Sequence, residues 1–306
     1  MSLTPLSLHT LLELQNFDQA RTLIRQNPEC AAIQDGAYQS TPLIIALMHQ
    51  PPLDVIESLI KSYPQALHIK NDIGMVPLRV AIRNKASTDV ILRVIDTNPD
   101  AVTSFGISGK TCLHLACMHH ADIKVFHRLL SIWPEAAAWK DRQGWHPLHM
   151  ACLCDTSDES IRAILEAYPQ AARLSCSNDG ELPFHFAALK GLPLVTLQEI
   201  YEKNPDAIAV RTKTHGWMPL HLACSNPNIS SDVIRFLLEE NRAAAQFRGK
   251  HCGSLPLHIA IKSGCEPEIL EMLSQAYPQA LPLSGSGLEP GSNGSMISTS
   301  VTECAR

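Results

Sequence analysis

The chain has 306 residues, of which 45% are hydrophobic, with 30 acidic against 25 basic side chains and a formal net charge of −5. That balance gives no broad electrostatic reason to bind nucleic acid or an anionic membrane surface. The longest apolar runs, such as LIIALM from Leu43, span a few residues and are far short of a membrane crossing.

In chain order, Ser7 to Arg25 reads as a helical hairpin with Leu11, Leu12, Phe17, Leu23 and Ile24 turned inward and Gln15, Asn16, Asp18 and Arg21 outward. Such a polar outer face suits a capping unit, expected over residues 1–38. From residue 39 one pattern returns down the chain, with its Ala at Ala46, Ala81, Ala116, Ala151, Ala187, Ala223 and Ala260, spaced 35 to 37 residues apart. A fixed period in this range means a stacked repeat protein. The copies read GMVPLRVA from Gly74, GKTCLHLA from Gly109, GWHPLHMA from Gly144, GELPFHFA from Gly180, GWMPLHLA from Gly216 and GSLPLHIA from Gly253, after an irregular QSTPLIIA from Gln39. Gly supplies the positive φ of a tight turn, and Pro opens a helix at no cost in hydrogen bonds.

A second helix follows in each unit, marked by apolar pairs such as Val55, Ile56, Leu59 and Ile60, or Val90, Ile91, Val94 and Ile95. Pro64, Pro99, Pro134, Pro169, Pro205 and Pro278 are expected to stop it. After Ala280 the sequence LPLSGSGLEPGSNGSMISTS lacks helical periodicity, which predicts a flexible Ser/Gly-rich tail over residues 281–306.

Turn, helix, loop, helix with P-L-H-x-A resembles the ankyrin repeat, whose signature is T-P-L-H-x-A on a turn and two helices. The resemblance runs from about Leu6 to Ala280 and implies an all-α, ankyrin-type helix-turn-helix repeat solenoid with short turn fingers, seven repeats filling residues 39–280. The chain departs from the family in its longer segment between helices, in the Tyr-Pro or Asn-Pro after the second helix, and in keeping the Thr only at Thr41 and Thr111. A tetratricopeptide reading accounts for the length and the late Pro but not for the G-x-x-P-L-H turn.

Candidate chemistry is sparse. His114, His149, His185, His221 and His258 share one phase, which predicts backbone hydrogen bonding rather than catalysis. No Cys or Ser stands in a nucleophile motif, so neither an enzyme nor a cofactor is expected. Cys117, Cys152 and Cys224 share the slot after the repeat Ala and read as reduced core residues. His119, His120, Cys152 and Cys154 offer a zinc alternative, disfavoured because neighbouring stacked helices stand about 8–10 Å apart and a ligand pair closes on a metal only if both side chains lean together. No basic and apolar leader is seen, so an intracellular protein is expected, cytoplasmic rather than nuclear.

Trp145 and Trp217 each follow a turn Gly, the tip position that in the ankyrin family contacts partners; large apolar side chains there are candidate anchors. By position, the resemblance implies a partner surface carried by Asp72, Met75, Lys110, Met118, His119, Arg142, Trp145, Leu153, Glu181, Lys190, His215 and Trp217. The function expected is a non-catalytic protein-binding scaffold or adaptor. The alternative is the targeting or regulatory subunit of an enzyme complex whose catalytic site lies on another chain.

Overall fold

The computed structural model describes residues 6–35, 39–176, 179–250 and 253–280. The expected tail over 281–306 lies outside the described residues. Within them the protein is helical, and its extended pairing is confined to two isolated bridges, Asp35 with Ser40 and Phe105 with Thr111. The helices come in pairs: α1 (Leu8–Glu13) and α2 (Phe17–Gln26), α3 (Pro42–Met48) and α4 (Leu53–Ser62), α5 (Pro77–Arg83) and α6 (Thr88–Thr97), α7 (Cys112–His119) and α8 (Ile123–Ile132). There follow α9 (Pro147–Leu153) and α10 (Asp158–Ala167), α11 (Pro183–Lys190) and α12 (Leu194–Lys203), α13 (Pro219–Ala223) and α14 (Ser231–Glu240), and α15 (Pro256–Ser263) and α16 (Pro267–Ala276). The described residues fall into two compact units, one of residues up to Ala187 with Val195–Ala207 and the other of Ala188–Leu194 with the residues from Ile208 onward.

The first helix of a pair begins where Pro occupies its opening turn, as in α3, α5, α9, α13 and α15. Where Thr survives it caps: the hydroxyl oxygens of Thr41 and Thr111 accept from the Ile44 and His114 backbone N–H groups. The second helix buries the predicted pairs, with Val55, Ile56, Leu59, Ile60, Val90, Ile91, Val94 and Ile95 all in the core. In the N-terminal hairpin Leu8, Leu11, Leu12, Ala20 and Ile24 are buried, whereas Phe17 and Leu23 are half-buried.

The Pro after the second helix does more than stop it. Each opens a short 3₁₀ turn, among them Pro64–His68, Pro99–Thr103, Pro134–Ala138 and Pro169–Arg173. Pro fits the first position of a 3₁₀ turn as it fits that of an α-helix, so the chain bends at the preceding residue and coils again. That residue is Tyr63, Asn98, Trp133, Tyr168, Asn204 or Tyr277, and Asn241 holds the same place before the turn that Arg242 opens without Pro. Where it is Asn, its side-chain amide donates to a carbonyl of the preceding repeat: Asn98 to Leu67 (2.9 Å), Asn204 to Ala172 (3.0 Å) and Asn241 to Ile208 (3.4 Å). An Asn before the 3₁₀ turn therefore ties successive 3₁₀ turns together, with or without the Pro.

The turn glycines hold the left-handed backbone that the pattern predicted, with φ of +75° at Gly74 and +78° at Gly109. They differ in surroundings. A Cβ on Gly109 would lie 3.0 Å from the Arg142 backbone nitrogen, while nothing lies within 4 Å of one on Gly74. Gly74→Ala is expected to cost about 1 kcal/mol from backbone strain, and Gly109→Ala more, because the next finger must also shift. Paired urea titrations check this order, and equal losses would show that the finger yields freely.

Candidate functional site

The histidine ladder is part of the framework. In His149 the ring Nδ1 accepts from the His146 backbone N–H (3.3 Å) while Nε2–H donates to the Glu181 carbonyl (3.2 Å). His114 makes the same pair, with Thr111 N–H and the Trp145 carbonyl, and so does His221, with Met218 N–H and the Phe247 carbonyl. His185 accepts from Leu182 N–H, and His258 donates to the Ala280 carbonyl. The rings of His114, His149 and His221 are thereby held neutral as the Nε2–H tautomer, joining their own turn to the next repeat. The family's Thr is dispensable for this, because the backbone donor alone satisfies Nδ1. Burial drives the pKa of His114 and His149 down to about 3 and that of His221 to about 4.

The ladder is longer than the sequence motif. His9 of the N-terminal hairpin is buried and donates to the Ser40 carbonyl (3.1 Å), a role legible in S-L-H-T-L only once its partner is known. Arg79 stands where the motif has His and does the same work, one guanidinium nitrogen donating to the Lys110 carbonyl (2.7 Å). The larger group needs space, and Gly106 supplies it: a Cβ there would meet the guanidinium at 2.6 Å.

The cysteines of the shared slot, Cys117, Cys152 and Cys224, are fully buried free thiols whose pKa burial pushes up. Of the zinc alternative, His120 turns its ring to the Asp155 carbonyl (3.1 Å) and Cys152 lies in the core. Among the described residues no three His, Cys, Asp or Glu side chains stand close enough to share a metal ion.

Three expected contact residues are corrected. Trp145 is 5% exposed, packed on Phe186 with ring centroids 4.8 Å apart and edge-on to His149. One Asp141 carboxylate oxygen accepts from the N–H groups of both Gln143 and Trp145 and holds the turn closed. Lys110 is buried with its ammonium 4.0 Å from Asp141, and Leu153 is buried at the end of α9. Trp217 is half-buried; its ring stacks on His221 and lies so close to Gly249 that a Cβ there would sit 2.7 Å from the indole nitrogen.

The other expected residues reach solvent. Asp72 and Arg142 are exposed, and Met75, Met118, His119, Glu181, Lys190 and His215 are half-buried. In the first unit α3, α5, α7 and α9 pack side by side, so the side chains that end them form a row: Met48, Arg83, then Met118 with His119. Arg83 also reaches the Met75 sulfur at 3.6 Å. Burial, then the nearby Lys85 and Arg83 charges, lower the His119 pKa. Beside this row a cleft of about 370 Å³ is lined by Lys85, Ser87, Ile91, His119, His120 and Asp122. Glu181 meets Cys176, whose thiol donates to it at 3.8 Å; burial, then Asp179, raise its pKa to about 7.

One feature was not anticipated from the sequence. Phe105 (57% exposed) and Trp139 (40% exposed) stack at 5.9 Å with their planes 25° apart, and Trp133 leans on Trp139 at 5.5 Å. Neither Trp133 nor Trp139 lies at a turn tip, so no positional rule drew attention to them.

A family model of ankyrin repeats, three copies, matches residues 184–280. A search of curated proteins returned no match. Among solved structures, the chain is similar to the ankyrin repeat domain of Bcl-3, described as a unique member of the IκB protein family, at 20% identity, covering 76% of this chain and 98% of that one with a TM-score of 0.55. It is also similar to a chain of the complex between the predatory endopeptidase Bd0816 from Bdellovibrio bacteriovorus and the immunity protein Bd3460, at 19% identity, covering 66% of this chain and 100% of that one with a TM-score of 0.53. At these identities the likeness concerns the fold.

Proposed function

Because the chain is an ankyrin-repeat protein, a fold that mediates protein–protein interaction, we propose that it is a non-catalytic scaffold or adaptor whose first unit binds a protein partner along the row Met48, Met75, Arg83, Met118 and His119. The observation that carries this is the row itself. The rings of His114, His149 and His221 are occupied in holding repeats together, while the ends of α3, α5 and α7 turn Met48, Arg83 and Met118 outward at the repeat spacing. Methionine adapts its shape to irregular partner surfaces, and arginine is enriched at interfaces. In the second unit Lys190, His215 and Trp217 are the solvent-reaching contacts proposed by position. No helix among the described residues is long and apolar enough to cross a membrane.

The test is affinity purification with mass spectrometry, comparing the wild type with the double variant Arg83→Glu, Met118→Glu. Both side chains reach solvent, so circular dichroism and melting should stay near wild type while partner recovery falls at least about tenfold, as for loss of central interface residues. Undiminished recovery by a folded variant would refute the assignment of this surface. Recovery of one enzyme as the dominant partner would favour the targeting-subunit role.

A further inference from the structure

We propose that the two fingers of the second unit, those of Gly216 and Gly253, bind an extended acidic segment of a protein partner through Arg211, Lys213, Arg248 and Lys250. The proposal rests on the protein-binding reading above but concerns a different surface and names the chemistry it takes. The two fingers touch. The Lys250 backbone N–H donates to the His215 carbonyl (2.8 Å), the Lys250 ammonium donates to the Lys213 carbonyl (2.8 Å), and the Arg211 guanidinium lies over the Phe247 ring at 4.2 Å. Arg211 and Lys213 recur 37 residues later as Arg248 and Lys250, so four exposed cations stand in phase on neighbouring repeats.

The charge of this surface selects its partner. Residues 205–265 contain seven Arg and Lys against four Asp and Glu, in a chain whose formal net charge is −5. The four acids are Asp206, on the 3₁₀ turn before the first finger, and Asp232, Glu239 and Glu240 on α14. Asp206 is matched by Arg242, on the 3₁₀ turn before the second finger, and Asp232 pairs with Arg235 at 2.7 Å. Glu239 and Glu240, at the end of α14, are left against Lys262 and the four finger cations. Neither finger carries a carboxylate, whereas those of the first unit do, at Asp72, Asp141, Asp179 and Glu181. An acidic segment complements this surface.

Neutral groups hold the finger cations without discharging them. Lys250 gives one ammonium N–H to the Lys213 carbonyl, Arg248 donates to the Gly253 carbonyl (2.9 Å), and Arg211 rests on Phe247. Arginines on the second helices instead meet carboxylates of the neighbouring repeat, as Arg93 meets Glu57 and Arg128 meets Asp96. Among the described residues none of the four finger cations pairs with a carboxylate. Their remaining N–H donors are available, and fixing the side chains in advance lowers the cost of ordering them on binding. Cations in phase on neighbouring repeats stand about 10 Å apart, the length of about three residues of extended chain, so acidic residues about three apart fit them. Single-stranded nucleic acid also seeks cations beside rings, but here Arg211 covers Phe247 and Trp217 stacks on His221, so both rings are engaged. A membrane surface calls for apolar side chains at the tips, and the first tip holds Lys213, Thr214 and His215.

The probe is a fluorescein-labelled peptide of four Glu-Gly-Ser units, titrated with the full chain by fluorescence anisotropy at low salt; the matching Gln-Gly-Ser peptide is the control. The acidic peptide should bind, the control should not, and raised salt should weaken binding. Lys213→Glu with Arg248→Glu should weaken it at least about tenfold. Lys61→Glu with Lys203→Glu, the same change of net charge on second helices, should leave it near wild type. If the double finger variant melts early, Lys213→Glu alone, at an exposed tip, carries the test. No binding, equal binding of the control, or an equal loss in the Lys61 and Lys203 variant would overturn the site. So would an oligothymidylate, or vesicles containing phosphatidylserine, held more tightly than the peptide and released by the finger variant. Peptide binding lost only with Arg83→Glu and Met118→Glu would sink the finger site and leave the row of the first unit standing. Peptide binding lost only with the finger variant, while the Arg83 and Met118 variant keeps all its partners, would sink the row and leave the finger site standing.

Discussion

Acidification from pH 7 to pH 5 is expected to cost the first unit about 4 kcal/mol through two buried histidines, a large part of a typical domain's stability, offset in part by one carboxyl. His114 and His149 have pKa values near 3 in the folded chain against 6.5 when unfolded. Between those values the unfolded chain binds more protons, so stability falls as the pH falls through the window from about 6.5 to about 3. At pH 5 each ring contributes about 2 kcal/mol of that loss. Burial is the main cause. The geometry adds a second, because the proton would have to enter Nδ1, which already faces a backbone N–H.

Glu181 acts with the opposite sign. Its folded pKa near 7 lies above the ordinary carboxylate value, so the folded chain takes up that proton first and gains stability between about pH 7 and 4.5. Its side chain reaches solvent, which screens the effect and leaves it smaller than the histidine term. Urea titrations at pH 7, 6 and 5 followed by circular dichroism should show a falling midpoint, with a shallower fall in His149→Gln, which removes one titrating ring. An unchanged midpoint over this range, or an unchanged slope in His149→Gln, would contradict the buried neutral ladder.

Trp145→Ala is expected to cost about 3–5 kcal/mol of stability, the range for truncating a large buried aromatic. The ring fills the space between its own turn, His149 and Phe186, and its removal leaves a cavity beside the ladder. Leu148→Ala, at a fully buried site in the same repeat, should cost about 2–5 kcal/mol and serves as the core reference. Trp139→Ala, at a site 40% exposed, should cost much less. A Trp145→Ala protein that melts like wild type would return this residue to the solvent-facing surface where its turn-tip position first placed it.

The N-terminal hairpin, the helix pairs and the buried histidines were legible in the sequence because they depend on periodicity. Apolar residues recurring at helical spacing must share a face, Pro and Gly mark where helices begin and turns reverse, and a polar residue repeated in one phase must have a repeated partner. These constraints act within a single repeat, so the chain states them locally and seven times over.

Tertiary structure decided what depends on which repeat lies next door. Trp145 and Trp217 follow the same glycine in the sequence, yet one ring is buried against Phe186 and His149, while the other stays half-exposed on Gly249. Arg79 could replace a ladder histidine because Gly106, in the following finger, leaves room for a guanidinium. Phe105 and Trp139 lie 34 residues apart in ordinary surface slots, and their stack exists only because the two repeats adjoin. A repeat specifies its own helices through local spacing, but the burial of any tip side chain is set by the shape of its neighbour, about one repeat length away in the chain.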